Sequence, residues 1–213
     1  MLRPRSAGTS RGFSMVELMV AVAILALLTT MAVPPFVSTL RDARIRTTAE
    51  SVAAALYYAR GEAARRNAVV RFQTTSTLDN ACALATAGQN WVVSLAYSGT
   101  GTAASPAGAC ASTLDDTASP FLLRRSEPLG TGSTMLTTAN RAVTAFDGLG
   151  RLSTLRGTIA ATALTVDVTS TDSTCLAVGG AARCLRVVVM PGGQISVCDP
   201  AHTTSTDPLT CPA

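Results

Sequence analysis

The chain has 213 residues, only 14% of them charged, and a formal net charge of +4. All seventeen basic residues are arginine, set against thirteen acids, and three of those arginines lie within the first twelve positions. That balance excludes a strongly basic nucleic-acid domain, while the length suffices for one domain with a real core.

Residues 1–12 are polar and carry Arg3, Arg5 and Arg11 but no acid. From Ser14 to Val33 the only charge is Glu17. Twenty helical residues span about 30 Å, the thickness of a bilayer core. A carboxylate at the centre of such a run costs roughly 2.5–3.5 kcal/mol, less near an end, so Glu17 needs a cationic partner. A secretory signal peptide puts its small-residue cleavage site after the apolar segment. Here the small residue, Gly12, precedes it. A cut there removes the basic leader, keeps the apolar helix, and makes a new amine at Phe13, four residues before Glu17. The leader's arginines keep that end in the cytoplasm, so the rest of the chain faces outward.

Gly12-Phe13-Ser14-Met15-Val16-Glu17-Leu18 resembles the class III leader junction of type IV prepilins and type II secretion pseudopilins. The resemblance implies that a prepilin peptidase cuts between Gly12 and Phe13 and methylates the Phe13 amine. It also implies that Glu17 takes part in assembly by pairing with the free amine of a neighbouring subunit.

Pro34-Pro35 ends the purely apolar run, since proline in a helix removes a hydrogen bond. The helical pattern then resumes. Ile45, Ala49, Val52, Leu56, Ala59 and Ala63 follow steps of four and three and form one apolar seam. Asp42, Arg46, Glu50 and Arg60 fall on another face, with Asp42–Arg46 and Arg46–Glu50 as i,i+4 ion pairs. A helix from about Ser14 to Arg66 is roughly 80 Å long. Its first half suits lipid or a filament core, and its second half suits packing on a sheet.

Tyr58-Ala59-Arg60-Gly61-Glu62-Ala63-Ala64-Arg65-Arg66 resembles the end of the long helix in minor pilins and pseudopilins of the H class, the FimT, FimU and GspH type. That class passes directly from helix to strand. The residues agree: Arg65 and Arg66 complement a helix C-terminus, Asn67 can cap it, and Val69–Phe72 begins a β-run. Further strands are expected at Trp91–Tyr97, with Gly99 and Gly101 breaking it, then at Phe121–Arg125, Ala142–Phe146 and Arg151–Ser153. Asp147-Gly148-Leu149-Gly150 is the turn between the last two. Ala163–Val168, Arg183–Met190 and Gln194–Cys198 complete the set, with the tail from Asp199 as loop. The fold class is α+β: a long N-terminal helix, transmembrane in its first half, on an antiparallel β-rich globular domain. The expected divisions are a cleaved leader at 1–12, a membrane or filament-core helix at 13–35, its amphipathic continuation at 36–67, and a periplasmic β-domain at 68–213.

Six cysteines outside the anchor point to an oxidising periplasm and disulfides. Fifteen pairings are possible. Neighbours in sequence give Cys82–Cys110, Cys175–Cys184 and Cys198–Cys211, and Cys184 with Cys198 across a hairpin competes. Zinc is disfavoured, because there is no C-x-x-C and the only histidine is His202. His202 has no obvious carboxylate partner, and no nucleophile elbow, P-loop or dinucleotide fingerprint occurs, so an enzyme is not expected. Asp115-Asp116 in a Ser/Thr-rich loop reads as solvated rather than as a calcium site. No metal and no cofactor is expected.

The resemblance implies a structural role: a minor pilin of the H class helping to initiate pilus assembly at the tip. Its partners are other minor and major pilins, the prepilin peptidase and the inner membrane. A type II secretion pseudopilin is the alternative, and a DNA-uptake receptor on a pilus is a third reading. Some FimT-type relatives bind DNA through Gly-Arg-x-Arg near the C-terminus. The matching stretch here, Gly193-Gln194-Ile195-Ser196, lacks both arginines. From Asn67 onward eight arginines face nine acids, which leaves no surplus for a phosphate backbone. Arg183 and Arg186 are the remaining candidates for a weak DNA contact.

Overall fold

The structure, a computed structural model, describes residues 12–96, 104–128, 133–154, 162–204 and 206–212, without the side chains of 30–35. The leader arginines, Tyr97, Gly99 and Gly101 lie outside these residues. One helix, α1, runs from Met15 to Arg66. It continues through Pro34-Pro35. Among the described residues ten strands follow: β1 (Val70–Thr75), β2 (Ala87–Gly88), β3 (Asn90–Leu95), β4 (Leu122–Arg125), β5 (Met135–Ala139), β6 (Val143–Phe146), β7 (Leu152–Ser153), β8 (Leu164–Ser170), β9 (Leu185–Val189) and β10 (Ile195–Cys198).

The chain divides into two compact units, 1–40 and 41–213. In the first, the described side chains from Phe13 to Thr29 are exposed on every face of the helix. A helix that is apolar all round needs a non-aqueous surrounding or other helices to cover it. Among the described residues no helix is long and apolar enough to cross a membrane; the described side chains of the apolar run stop at Thr29.

In the second unit all strand pairs are antiparallel, and they form two five-stranded sheets. One has the order β4-β3-β1-β6-β7 and the other β10-β9-β8-β5-β2. The helical seam is what joins them. Ile45, Ala49, Val52, Leu56, Ala59 and Ala63 are all buried, together with Ala53 and Ala55. They share one core with Phe72, Val93 and Phe146 of the first sheet and Val166, Val187 and Val189 of the second. The many alanines matter, because axis-to-sheet distance is set by the side chains at the contact. Each large side chain buried here contributes roughly 1.5–3 kcal/mol relative to exposure.

β1 is buried along its whole length. Val70 and Phe72 face the helix core. The other face carries Arg71 and Gln73, buried as well. A second small cluster of Cys82, Val92, Cys110 and Leu122 forms beside them. Arg71 donates from Nη2 to the carbonyls of Leu95, at 2.8 Å, and Ala104. The Ala-, Ser- and Thr-rich segments around Cys82 and Cys110 thus build a lid over the sheet, stapled by the Cys82–Cys110 disulfide. Cys175–Cys184 and Cys198–Cys211 are the other two bridges. In the chain-entropy model such loops contribute about 2.5–3.6 kcal/mol each.

Candidate functional site

The entry to α1 is set by Ser14. Its Oγ accepts the backbone N–H of Glu17 at 3.1 Å, and its carbonyl accepts that of Leu18. Ser14-x-x-Glu17 is therefore the near half of a capping box, with the carboxylate in the favourable first turn. Phe13 is 84% exposed, so the residue that would carry the amine is uncovered beside an exposed Glu17.

The other end of α1 closes in a Schellman motif. Ala68 N–H reaches the carbonyl of Ala63, and Asn67 N–H that of Ala64, with Asn67 left-handed at φ 47°. Arg65 and Arg66 both bind Glu62, and Arg66 also reaches Asp116 at 2.7 Å. Against this end lies the turn between β6 and β7. A Cβ at Gly148 would stand 3.1 Å from the Cα of Asn67 and collide with its side-chain oxygen, so any larger residue must displace the Asn67 amide and crowd its backbone. Arg60, on a face other than the seam as expected, donates from Nε to the Gly150 carbonyl at 3.1 Å. Gly193, at φ 84°, presses on that same carbonyl from the β9–β10 turn. Helix, β6–β7 turn and β9–β10 turn thus meet at one guanidinium.

Asp147 holds the β6–β7 turn from within. Its Oδ1 accepts the N–H groups of Leu149 and Arg151, and its Oδ2 pairs with the Arg151 guanidinium at 2.9 Å. Burial raises the carboxyl, but the hydrogen bonds from Arg151 and Leu149 outweigh it and hold the pKa below the ordinary value. A pKa depressed in the folded state contributes stability that is complete above the unfolded carboxylate value and is lost as pH falls through the folded one. Stability is therefore expected to drop as pH falls below about 4. Asp147→Asn should flatten that limb, because the amide oxygen still accepts but no longer titrates. Denaturant melts of both proteins across this range check it; parallel curves would remove Asp147 from the acid response.

Two ion-pair expectations need correcting. Asp42 does not pair with Arg46; it meets Arg41 at 3.4 Å and accepts the Arg183 N–H, because the loop before β9 folds over the helix at this point. Arg46 pairs with Glu50 alone, at 2.8 Å. His202 does have carboxylate partners: Nδ1 lies 2.6 Å from Asp207 and Nε2 lies 3.7 Å from Asp199. The Cys198–Cys211 bridge folds the tail back and brings Asp207 to the ring. Asp115 binds Thr117 and Ala118 in a local turn, with Asp116 on Arg66. Arg186 forks onto Asp167 at 2.6 and 3.1 Å, so its charge is matched within the sheet. Arg183 lines a cavity of about 370 Å³ with Arg46, Glu50, Leu185, Val197 and Leu209.

A family model described as "Type II transport protein GspH" matches residues 48–193. The chain belongs to the GspH family. The match includes the seam from Ala49 onward, the lid and all three contributors to the Arg60 clamp. A second model, "Prokaryotic N-terminal methylation motif", matches residues 8–33. The protein is thus of the H class of type IV pilin-like chains, a family of minor pilins and pseudopilins. No curated protein matches it. Two crystal forms of the type IV minor pilin FimU of Pseudomonas aeruginosa (strain PAO1) are similar structures, each 16% identical. One covers 76% of this chain and 93% of that one at a TM-score of 0.46, and the other 75% and 97% at 0.43.

Proposed function

We propose that this GspH-family chain is a minor type IV pilin, a structural subunit that helps to initiate assembly at the pilus tip. It waits in the inner membrane with residues 41–213 in the periplasm, and joins other pilins once its leader is removed. The observation that carries the reading is the union, in one chain, of the Gly12–Phe13 junction and exposed Glu17 with the braced H-class domain. The description of the matched family favours a second reading, a type II secretion pseudopilin. Gene deletion separates the two: lost piliation with normal secretion supports the pilus, and the reverse outcome transfers the protein to the secretion system.

Processing is tested on the mature N-terminal peptide. Mass spectrometry should find a chain beginning at N-methylated Phe13. A chain beginning beyond Val33 would indicate conventional signal-peptide cleavage and end the pilin reading.

A DNA-receptor role is disfavoured. Gln194 and Ser196 stand where the arginines of the DNA-binding motif would lie, and Arg186 is already engaged by Asp167. Without surplus cations few counterions are released on binding. The chain should bind duplex DNA no tighter than about 10⁻⁴ M at physiological salt. Micromolar binding in a fluorescence titration, steeply salt-dependent and lost on Arg183→Ala with Arg186→Ala, would make the receptor the better reading.

A further inference from the structure

Between Thr174 and Arg183 lies a segment that neither the family nor the proposed role explains. Residues 175–182, Cys-Leu-Ala-Val-Gly-Gly-Ala-Ala, contain no charged or hydrogen-bonding side chain, and Cys175–Cys184 closes them into a loop. Leu176–Val178 makes one 3₁₀ turn with none of its residues buried. Val178 is 77% exposed and Leu176 44% exposed.

Five of the loop's backbone N–H groups are paired locally. The N–H of Leu176 binds the Ala182 carbonyl, those of Val178 and Gly180 the Cys175 carbonyl, that of Gly179 the Leu176 carbonyl, and that of Ala182 the Thr174 carbonyl. Each N–H paired in this way lowers the cost of taking the apolar loop out of water, since unpaired amides are the main cost of entering a bilayer.

Its position is fixed by two bonds to the first turn of the helix in the second unit. Arg41 donates to the Ala181 carbonyl at 3.0 Å, and Asp42 accepts the Arg183 N–H at 3.3 Å. Arg41 follows directly on the N-terminal unit. Arg41 comes eight residues after Val33, so a short stretch of chain separates the loop's attachment point from the apolar segment. Arg183 is exposed beside it and Arg41 is bonded to it, and Asp42 is already engaged by Arg41 and the Arg183 N–H. Apolar tip and neighbouring arginines together match the boundary between acyl chains and anionic headgroups.

We infer that the Cys175–Cys184 loop is a lipid-facing foot, inserting Leu176 and Val178 into the outer leaflet of the membrane that holds the N-terminal helix. The inference rests on the membrane-anchored reading given above. It is tested on the full chain in vesicles of phosphatidylethanolamine and phosphatidylglycerol, with Val178→Trp as the probe and the wild type, carrying only Trp91, as background. The added tryptophan should emit to the blue and lose intensity when the acyl chains are brominated. Arg183→Gln, or raised salt, should weaken that quenching. In the wild-type chain, amide exchange over 176–182 should slow when phosphatidylglycerol is present. A chain that floats with the vesicles but shows neither quenching nor slowed exchange overturns the foot and leaves the anchor standing. A chain that does not float overturns both. Protection that appears only when another pilin is added assigns the loop to a protein partner and overturns the lipid role.

Discussion

Glu17→Ala is expected to leave the chain in the membrane and to cut its incorporation into filaments at least about tenfold, the equivalent of 1.4 kcal/mol. The two effects have opposite signs for one reason. An unpaired carboxylate costs free energy in a bilayer, so its removal makes insertion easier. In an assembled filament the proposed partner is a neighbouring subunit's N-terminal amine, and losing one member of a desolvated charge pair costs about 2–5 kcal/mol. Glu17 also occupies the third position of the helix behind the Ser14 cap, so some of the loss could come from a frayed helix start, worth about 0.3–1 kcal/mol. Glu17→Gln separates the two contributions, because glutamine serves in a capping box but carries no charge. If Gln assembles as poorly as Ala, the charge is what matters. Incorporation is read by quantifying the protein in sheared filaments against the membrane pool, and a normal ratio for either variant would sink the pairing.

Gly193→Ala should damage the β-domain severely for a single added methyl, costing roughly 3–4 kcal/mol. Two penalties add. A left-handed backbone costs an alanine about 1–2 kcal/mol. The new methyl also falls 3.0 Å from the Gly150 carbonyl carbon and 3.2 Å from Arg60 Nε. Neither turn can retreat freely, since Gly148 already abuts Asn67 and Leu152 donates to the Pro191 carbonyl at 3.0 Å. Gly108→Ala provides the control. Its φ is 76° but nothing lies within 4 Å of the added methyl, so only the backbone penalty should appear. Denaturant midpoints at unchanged m measure both. Equal costs at the two positions would show that the clamp does not resist the methyl.

How far the sequence foretold this depends on where each signal was stored. The helical seam is a local periodicity, and all six of its residues are buried. β3, β6 and β9 were readable because apolar β-formers cluster in them. β5 was not, because its inward positions are Met135, Thr137 and Ala139, and two of those are weak hydrophobic markers. β2 has only two residues and exists because β5 lies beside it. The Arg60 clamp was illegible for a different reason. Helical spacing assigns Arg60 to a polar face, and nothing local announces a carbonyl acceptor 90 residues away. The turn glycines were visible as turn residues, but their need for glycine comes from Asn67 and from each other, which only the assembled domain supplies. His202 is a similar case: its partner Asp207 is close in sequence, yet the tail bends toward the ring only within the last disulfide.

The three bridges have a property that concerns time rather than stability. Cys82–Cys110, Cys175–Cys184 and Cys198–Cys211 neither nest nor interleave. A chain delivered amino end first into an oxidising compartment meets each correct partner as the next thiol to arrive. When Cys110 emerges, Cys82 is the sole candidate; once they have joined, Cys175 waits only for Cys184, and Cys198 only for Cys211. Of fifteen pairings, order of emergence alone selects the one observed, so oxidation can keep pace with delivery and no shuffling of wrong bonds is required before the domain closes.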